Sequence, residues 1–264
     1  MVMKRHKRIA ASATTYILLI IALVWTIFPV YWMIKSSITV NSEMYVARPS
    51  LIAKHYTFEN YVDLFTKTEF PRALLNSLMI AFLTTVCCLL ISILGSYAMT
   101  RLKYPGRRFF KTSIIFSYLI PTAVLFVPMY VFVSKLGFYD NKWALLIIYP
   151  TTVVPYCCYM LMSYFKAIPY ALEEAALIDG CTRMKSLRYI ITPIALPGIA
   201  VVATFAFTMS WNEYLYAMIM TTSPAQQTAV VAISSFKYAD SAAVRIAKGI
   251  LAATQANNGE NKRL

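Results

Sequence analysis

Residues 170–197 read YALEEAALIDGCTRMKSLRYIITPIALP and lie between two long apolar segments. The spacing predicts a short helix from Pro169 to Asp179. Glu173 and Glu174 fall near its start, where negative charge suits the helix dipole. Ala175 and Ala176 are small enough to let another surface approach. Gly180 is placed to end the helix in a left-handed conformation, and Asp179 is expected to bond nearby amides and fix the turn. A second short helix then carries Leu187, Ile190 and Ile191 towards the next apolar run, with Pro193 and Pro197 bending the chain into it. A plain connection between two spans does not require so much ordered polar structure. The stretch reads as a surface built to be gripped by a partner.

The flanking composition places that surface in a membrane protein. The chain has 264 residues, 59% hydrophobic and 14% charged, whereas soluble domains carry about 25% charged residues. A spanning helix needs about 20 mostly apolar residues. Five stretches qualify: residues 14–34, 73–99, 112–133, 143–165 and 197–220, an all-α integral membrane fold. The N-terminal MVMKRHKR opens like a signal peptide, but the apolar run after it is too long and lacks a small-residue cleavage site. It is therefore read as a retained first span. Pro121 and Pro128 fall in the third span and Pro150 and Pro155 in the fourth. Each removes a backbone donor, so these bends are expected to face neighbouring helices or a water-filled path, ordinary kinks being the plainer alternative. Ser92, Gly95 and Ser96 allow close helix contact, within the chain or against a partner.

Charge sets the orientation. Lys4, Arg5, Lys7 and Arg8 precede the first span, and Arg101, Lys103, Arg107, Arg108 and Lys111 crowd the loop after the second. The positive-inside rule places both in the cytoplasm, and residues 166–196 follow them there. Residues 35–72 are then external. The formal net charge of +14 is spread over segment ends and forms no stripe for nucleic acid. Cys87–Cys88 and Cys157–Cys158 are helical neighbours pointing about 100° apart, and Cys181 stands alone, so packing rather than disulfides or metal is expected. No catalytic constellation is visible.

These residues carry a specific likeness. Glu174-Ala175-Ala176, Asp179-Gly180, then Ile190, Pro193 and Pro197 fall in the register of the EAA loop of permease subunits in bacterial binding-protein-dependent ABC importers. The chain departs from that pattern at Cys181, Leu187 and Thr192. Tyr56-Thr57-Phe58-Glu59-Asn60-Tyr61, Asn76-Ser77 and Trp211-Asn212-Glu213 resemble further segments of the carbohydrate-uptake class, and the likeness runs over about residues 10–240. The overall likeness is to the maltose-type subunit with a short N-terminus and six spans, a type I ABC importer transmembrane domain.

The resemblance implies a division of labour. The loop would form a coupling helix docked in a cleft of a separate ATPase, through Glu174, Ala175, Ala176, Asp179, Gly180, Leu187, Ile190, Pro193 and Pro197. Two ATPase subunits would hold the ATP and Mg, a second permease subunit would complete the path, and an external or periplasmic binding protein would deliver the sugar. The chain would be a transport subunit in a bacterial cell membrane, N-terminus inside, and not itself an enzyme. Its own residues agree. Two glycines five apart followed by Lys, the phosphate-binding pattern, occur nowhere among its seven glycines.

Glu213 is the acidic residue placed within a span, and such charges default to function. With Asn212 it is expected to line a polar path; a contact to the partner permease, and a place at the outer interface if the fifth span is shorter, are the alternatives. A polyol or glycerol-phosphate cargo, a secondary transporter and a membrane scaffold are the alternatives. After residue 241 the tail AAVRIAKGILAATQANNGENKRL is too short in its apolar part and too charged to span. The family's sixth span is thus expected to be altered or missing over residues 242–264.

Overall fold

The computed structural model describes residues 2–44 and 50–239. The tail at 242–264, expected to be atypical, lies outside the described residues. The chain divides into two compact units, Met1–Thr68 and Glu69–Leu264.

The first unit is led by α1 (Val2–Ser37). Residues 14–37 of it form a stretch of spanning length and hydropathy, with Lys35 buried near its end. Two short helices follow, α2 (Asn41–Met44) and α3 (Glu59–Thr66). The segment read as external is tied to the end of α1 by polar bonds. Asn60 Nδ2 donates to the carbonyls of Ser37 and Thr39 at 3.2 and 3.4 Å, and the Tyr61 hydroxyl to Ser37 Oγ at 2.8 Å. Glu43 accepts from His55 Nδ1 at 2.5 Å and from the Lys54 amide at 3.1 Å. The His55 bond holds the Glu43 carboxyl below its ordinary value.

The second unit is a helical bundle: α4 (Phe70–Arg101), α5 (Arg107–Leu119), α6 (Thr122–Lys135), α7 (Ala144–Ala167), α8 (Tyr170–Ile178), α9 (Arg183–Ser186), α10 (Thr192–Trp211), α11 (Leu215–Met220) and α12 (Ala229–Ala239). Helices α4, α7 and α10 pack together. The small face predicted on the second span is used within the chain: Ser96 Oγ donates to the Cys158 carbonyl at 3.1 Å and Ser92 Oγ to that of Val154 at 3.5 Å, both on α7. Cys88, Cys157 and Cys158 are buried as free thiols.

Apolar packing gathers at the two ends of the bundle. One core joins Tyr97, Phe165, Leu187, Ile191 and Ile199. The other joins Ile80, Val133, Leu145, Tyr149, Tyr216 and Met220. Leu75, Phe82, Leu90, Leu94, Leu196 and Phe205 remain exposed on the flanks, which suits lipid or a partner helix and not water.

Two expected spans are corrected. The third is not one helix. α5 and α6 meet at a 98° bend, because Ile120, before Pro121, is driven into an extended conformation at ψ 122°. Pro121 and Pro128 are also exposed, whereas Pro155 is buried against neighbours as expected. The fifth span starts and ends earlier than residues 197–220. A helical run from Arg183 to Trp211 passes through a π turn at Leu187–Ile191. There the Thr192 amide bonds back to the Leu187 carbonyl, and Pro193, which has no amide to offer, follows directly. The prolines thus join the loop to the span without breaking it. Beyond Trp211 the chain opens before α11. The eleven-residue α12 then packs against α4.

Candidate functional site

The 170–197 stretch folds as the sequence predicts at its turn. Helix α8 ends in a Schellman motif: the Cys181 amide donates to the Ala176 carbonyl at 2.9 Å and the Gly180 amide to that of Leu177 at 3.2 Å. Gly180 sits at φ +83°, in the left-handed region, with no atom within 4 Å of a Cβ placed there. Asp179 plays no part through its side chain. These backbone bonds do the work its carboxylate was expected to do. After the turn, Thr182 caps α9 by accepting from the Lys185 amide at 3.3 Å.

Helix α8 has two distinct faces. Glu173 and Ala176 are buried; Glu174, Ala175, Ile178, Asp179 and Gly180 are exposed, Ile178 at 86%. Leu187 and Ile191 turn inward, Ile190 is half-buried, and Pro193 and Pro197 lie on the surface.

The buried face carries a polar cluster that sequence reasoning missed. Glu173 Oε1 accepts from the Tyr97 hydroxyl at 2.6 Å and from Arg183 Nη1 at 2.9 Å. Arg101, with its side chain fully buried, lies 3.8 Å from Glu173 Oε2. Its Nη2 donates to the Phe165 and Ile168 carbonyls at 2.5 and 2.6 Å, closing the C-terminal end of α7, and its guanidinium stacks 4.2 Å from the Tyr170 ring centroid. The Tyr170 hydroxyl donates to the Thr100 carbonyl at 2.6 Å. The signal was available: Arg101 follows an apolar run, and the acid is doubled ahead of Ala175. Both had simpler readings, as a topological charge and a dipole partner. A cleft of 840 Å³ opens here, lined among others by Lys103, Arg107, Glu174 and Leu177. Arg107 is occupied, donating to the carbonyls of Met99, Thr100 and Leu102 at 2.9–3.1 Å.

The opposite end is also polar and ordered. Asn76 Nδ2 donates to the carbonyls of Ala225 and Gln227 at 3.1 and 3.0 Å, and its Oδ1 accepts from Lys142 Nζ at 2.7 Å. Ser77 Oγ accepts the Ala229 amide at 2.8 Å, which starts α12. Asp140 accepts from the Ser223 amide at 2.8 Å and from its hydroxyl. Asn212 and Glu213 lie in the break after α10. Asn212 is exposed, while the Glu213 carboxylate accepts the Tyr216 and Ala217 amides at 3.1 and 3.2 Å and so opens α11. The structure does not bring the two side chains to one task. Among the described residues no group of three or more His, Cys, Asp or Glu gathers for a metal.

Long apolar helices, with an ordered polar loop clamped across one end of the bundle, define an integral membrane protein. The comparisons carry the class to a family. Residues 91–254 match the model of the binding-protein-dependent transport system inner membrane component. The chain is 33% identical over 235 residues to the inner membrane ABC transporter permease protein YcjP of Escherichia coli, covering 88% of this chain and 84% of that one. It is 33% identical over 212 residues to the trehalose transport system permease protein SugB of Mycobacterium tuberculosis, covering 80% and 77%. In fold it matches a chain from the crystal structure of a bacterial ABC transporter involved in the import of the acidic polysaccharide alginate, at TM-score 0.78, 22% identity, and coverage of 91% and 85%. The chain belongs to the family of binding-protein-dependent transport system inner membrane components.

Proposed function

We propose that this chain is a membrane-spanning permease subunit of an ATP-driven carbohydrate importer in a bacterial cell membrane, and that residues 170–197 couple it to a separate ATPase. The observation that carries the reading is the division of α8. Glu173 and Ala176 anchor the helix inward. Glu174, Ala175, Asp179 and Gly180 form an outward surface with Ile178 at its tip. A large apolar side chain exposed beside carboxylates suits insertion into a protein cleft. Leu187 and Ile190, with Pro193 and Pro197, carry the loop into α10. The trehalose relative and the alginate transporter support a carbohydrate as cargo.

On this reading ATP and Mg reside on two ATPase subunits, an external binding protein delivers the solute, and a second permease covers part of the exposed apolar flank. The N-terminus, the basic 101–111 segment and the coupling loop share the cytoplasmic side. Asn212, exposed beyond α10, is the candidate for the solute path, with Glu213 shaping the backbone beside it. The test is uptake in membrane vesicles. Gly180→Pro, or Glu174→Lys with Asp179→Lys, is expected to abolish uptake while leaving membrane insertion intact. Normal uptake and ATPase association in both would refute the assignment.

A further inference from the structure

We infer that the hydroxyls of Tyr97 and Tyr170 are the positioning groups through which movement of α8 is delivered to α4, a span with which α8 shares no chain junction. The inference rests on the reading of α8 as the ATPase-docking helix and adds where the motion goes next.

By chain connection α8 leads to α7 on one side and, through residues 179–191, to α10 on the other. The second route is the less continuous one, running through the exposed Gly180 turn, the four-residue α9 and a π turn, a rare form frequent at functional sites. The route to α4 is short and largely buried. Tyr97 donates to Glu173 at 2.6 Å, and Tyr97 and Glu173 are exposed by only 5% and 2%. A hydroxyl–carboxylate bond is charge-assisted and among the stronger kinds, and its dry surroundings strengthen it further. Tyr170, the first residue of α8, donates to the Thr100 carbonyl one turn further along α4. Two bonds a turn apart fix both the position and the angle of α8 on α4, where a single bond would act as a pivot. Arg101 adds the end of α7 to the same body.

Helix α4, 32 residues long, carries Asn76 and Ser77 near its other end, and these hold the 225–229 segment at the far end of the bundle. A push on α8 is thus carried along α4 to a loop on the other side.

The decisive variants are Tyr97→Phe and Tyr170→Phe, alone and together, in the assembled importer in vesicles, reading ATP hydrolysed per solute imported. Each removes one oxygen and keeps the ring. The double variant is expected to retain bound ATPase and to raise the ratio by about fivefold, the low end of coupling between sites. Glu173→Gln keeps an acceptor oxygen for Tyr97 and is expected to disturb the ratio less than Glu173→Leu. A double variant with the parent ratio, while Gly180→Pro still uncouples, overturns this inference and leaves the docking assignment standing. If Gly180→Pro leaves the ratio unchanged as well, the docking assignment falls and this inference with it. Loss of bound ATPase from the Tyr variants would make the hydroxyls assembly elements and overturn it too.

Discussion

The Tyr97 hydroxyl and the Glu173 carboxylate are 2.6 Å apart and buried, and this bond seats α8 against a helix 76 positions away in sequence. The seat is completed by Arg101, whose guanidinium serves four groups: the Phe165 and Ile168 carbonyls, the face of Tyr170, and Glu173 at ion-pair distance.

That arrangement predicts an asymmetric response to mutation. Removing a buried donor leaves its acceptors, here the Phe165 and Ile168 carbonyls, unsatisfied at about 1–3 kcal/mol each. Arg101→Met is therefore expected to lower the thermal unfolding midpoint of the purified protein sharply, whereas Arg183→Met, which removes a guanidinium 55% exposed to solvent, should cost far less. Equal shifts for the two would show that burial does not set the value of these contacts.

Gly180 offers a milder probe. Its φ of +83° costs an L-residue about 1–2 kcal/mol, and the open space at its Cβ position rules out a clash as the cause. Gly180→Ala should destabilise the turn by about that amount, and Gly180→Asn by less, since Asn tolerates the left-handed region. Hydrogen exchange at the Cys181 amide, the outer bond of the Schellman motif, measures it directly.

At the other end, the two Ser223 bonds hold the Asp140 carboxyl below its ordinary value. A carboxyl lowered in the folded state stabilises that state above its unfolded value, about 3.9, and the contribution disappears as pH falls through the folded value. Protection of the Ser223 amide is expected to hold to about pH 4 and to fall below it. Asp140→Asn should show weak protection throughout with no acid step. An acid step surviving in that variant would assign it to another group.

How much of this was legible in the sequence depends on the range of the interaction. Gly180 ends its helix as predicted because the determinant is local: only glycine takes that φ without strain. The apolar segments gave the spanning helices because length and hydropathy are properties of contiguous residues. The 98° bend at Pro121 was underestimated. A proline is visible in sequence, but whether its helix resumes along the same line depends on what packs beyond it. Glu173 was read as a partner for the helix dipole because two of its partners, Tyr97 and Arg101, lie more than 70 positions away and only the fold brings them close. Glu213 was read as part of a continuous helical span because the end of α10 at Trp211 is not marked by glycine or proline.

Gly198 sits where α10 crosses α7, and the contact is tight enough to predict a reversal of sign. A Cβ at this position would lie 2.5 Å from two atoms of the Tyr164 ring and 2.9 Å from a third, closer than any carbon contact tolerates. The ring cannot swing freely, since Tyr164 packs against the buried core at this end of the bundle. Gly198→Ala should therefore destabilise by about 1–3 kcal/mol, the usual cost of overpacking, although alanine is the better helix former by about 1 kcal/mol. Shrinking the ring removes the obstacle. In a Tyr164→Leu background the same substitution should become neutral or stabilising, because only the helix preference remains. Residues in direct contact show such non-additivity, typically about 0.5–3 kcal/mol. Thermal unfolding of the four proteins in one detergent measures it, and additive effects would mean that α7 and α10 do not meet at this pair.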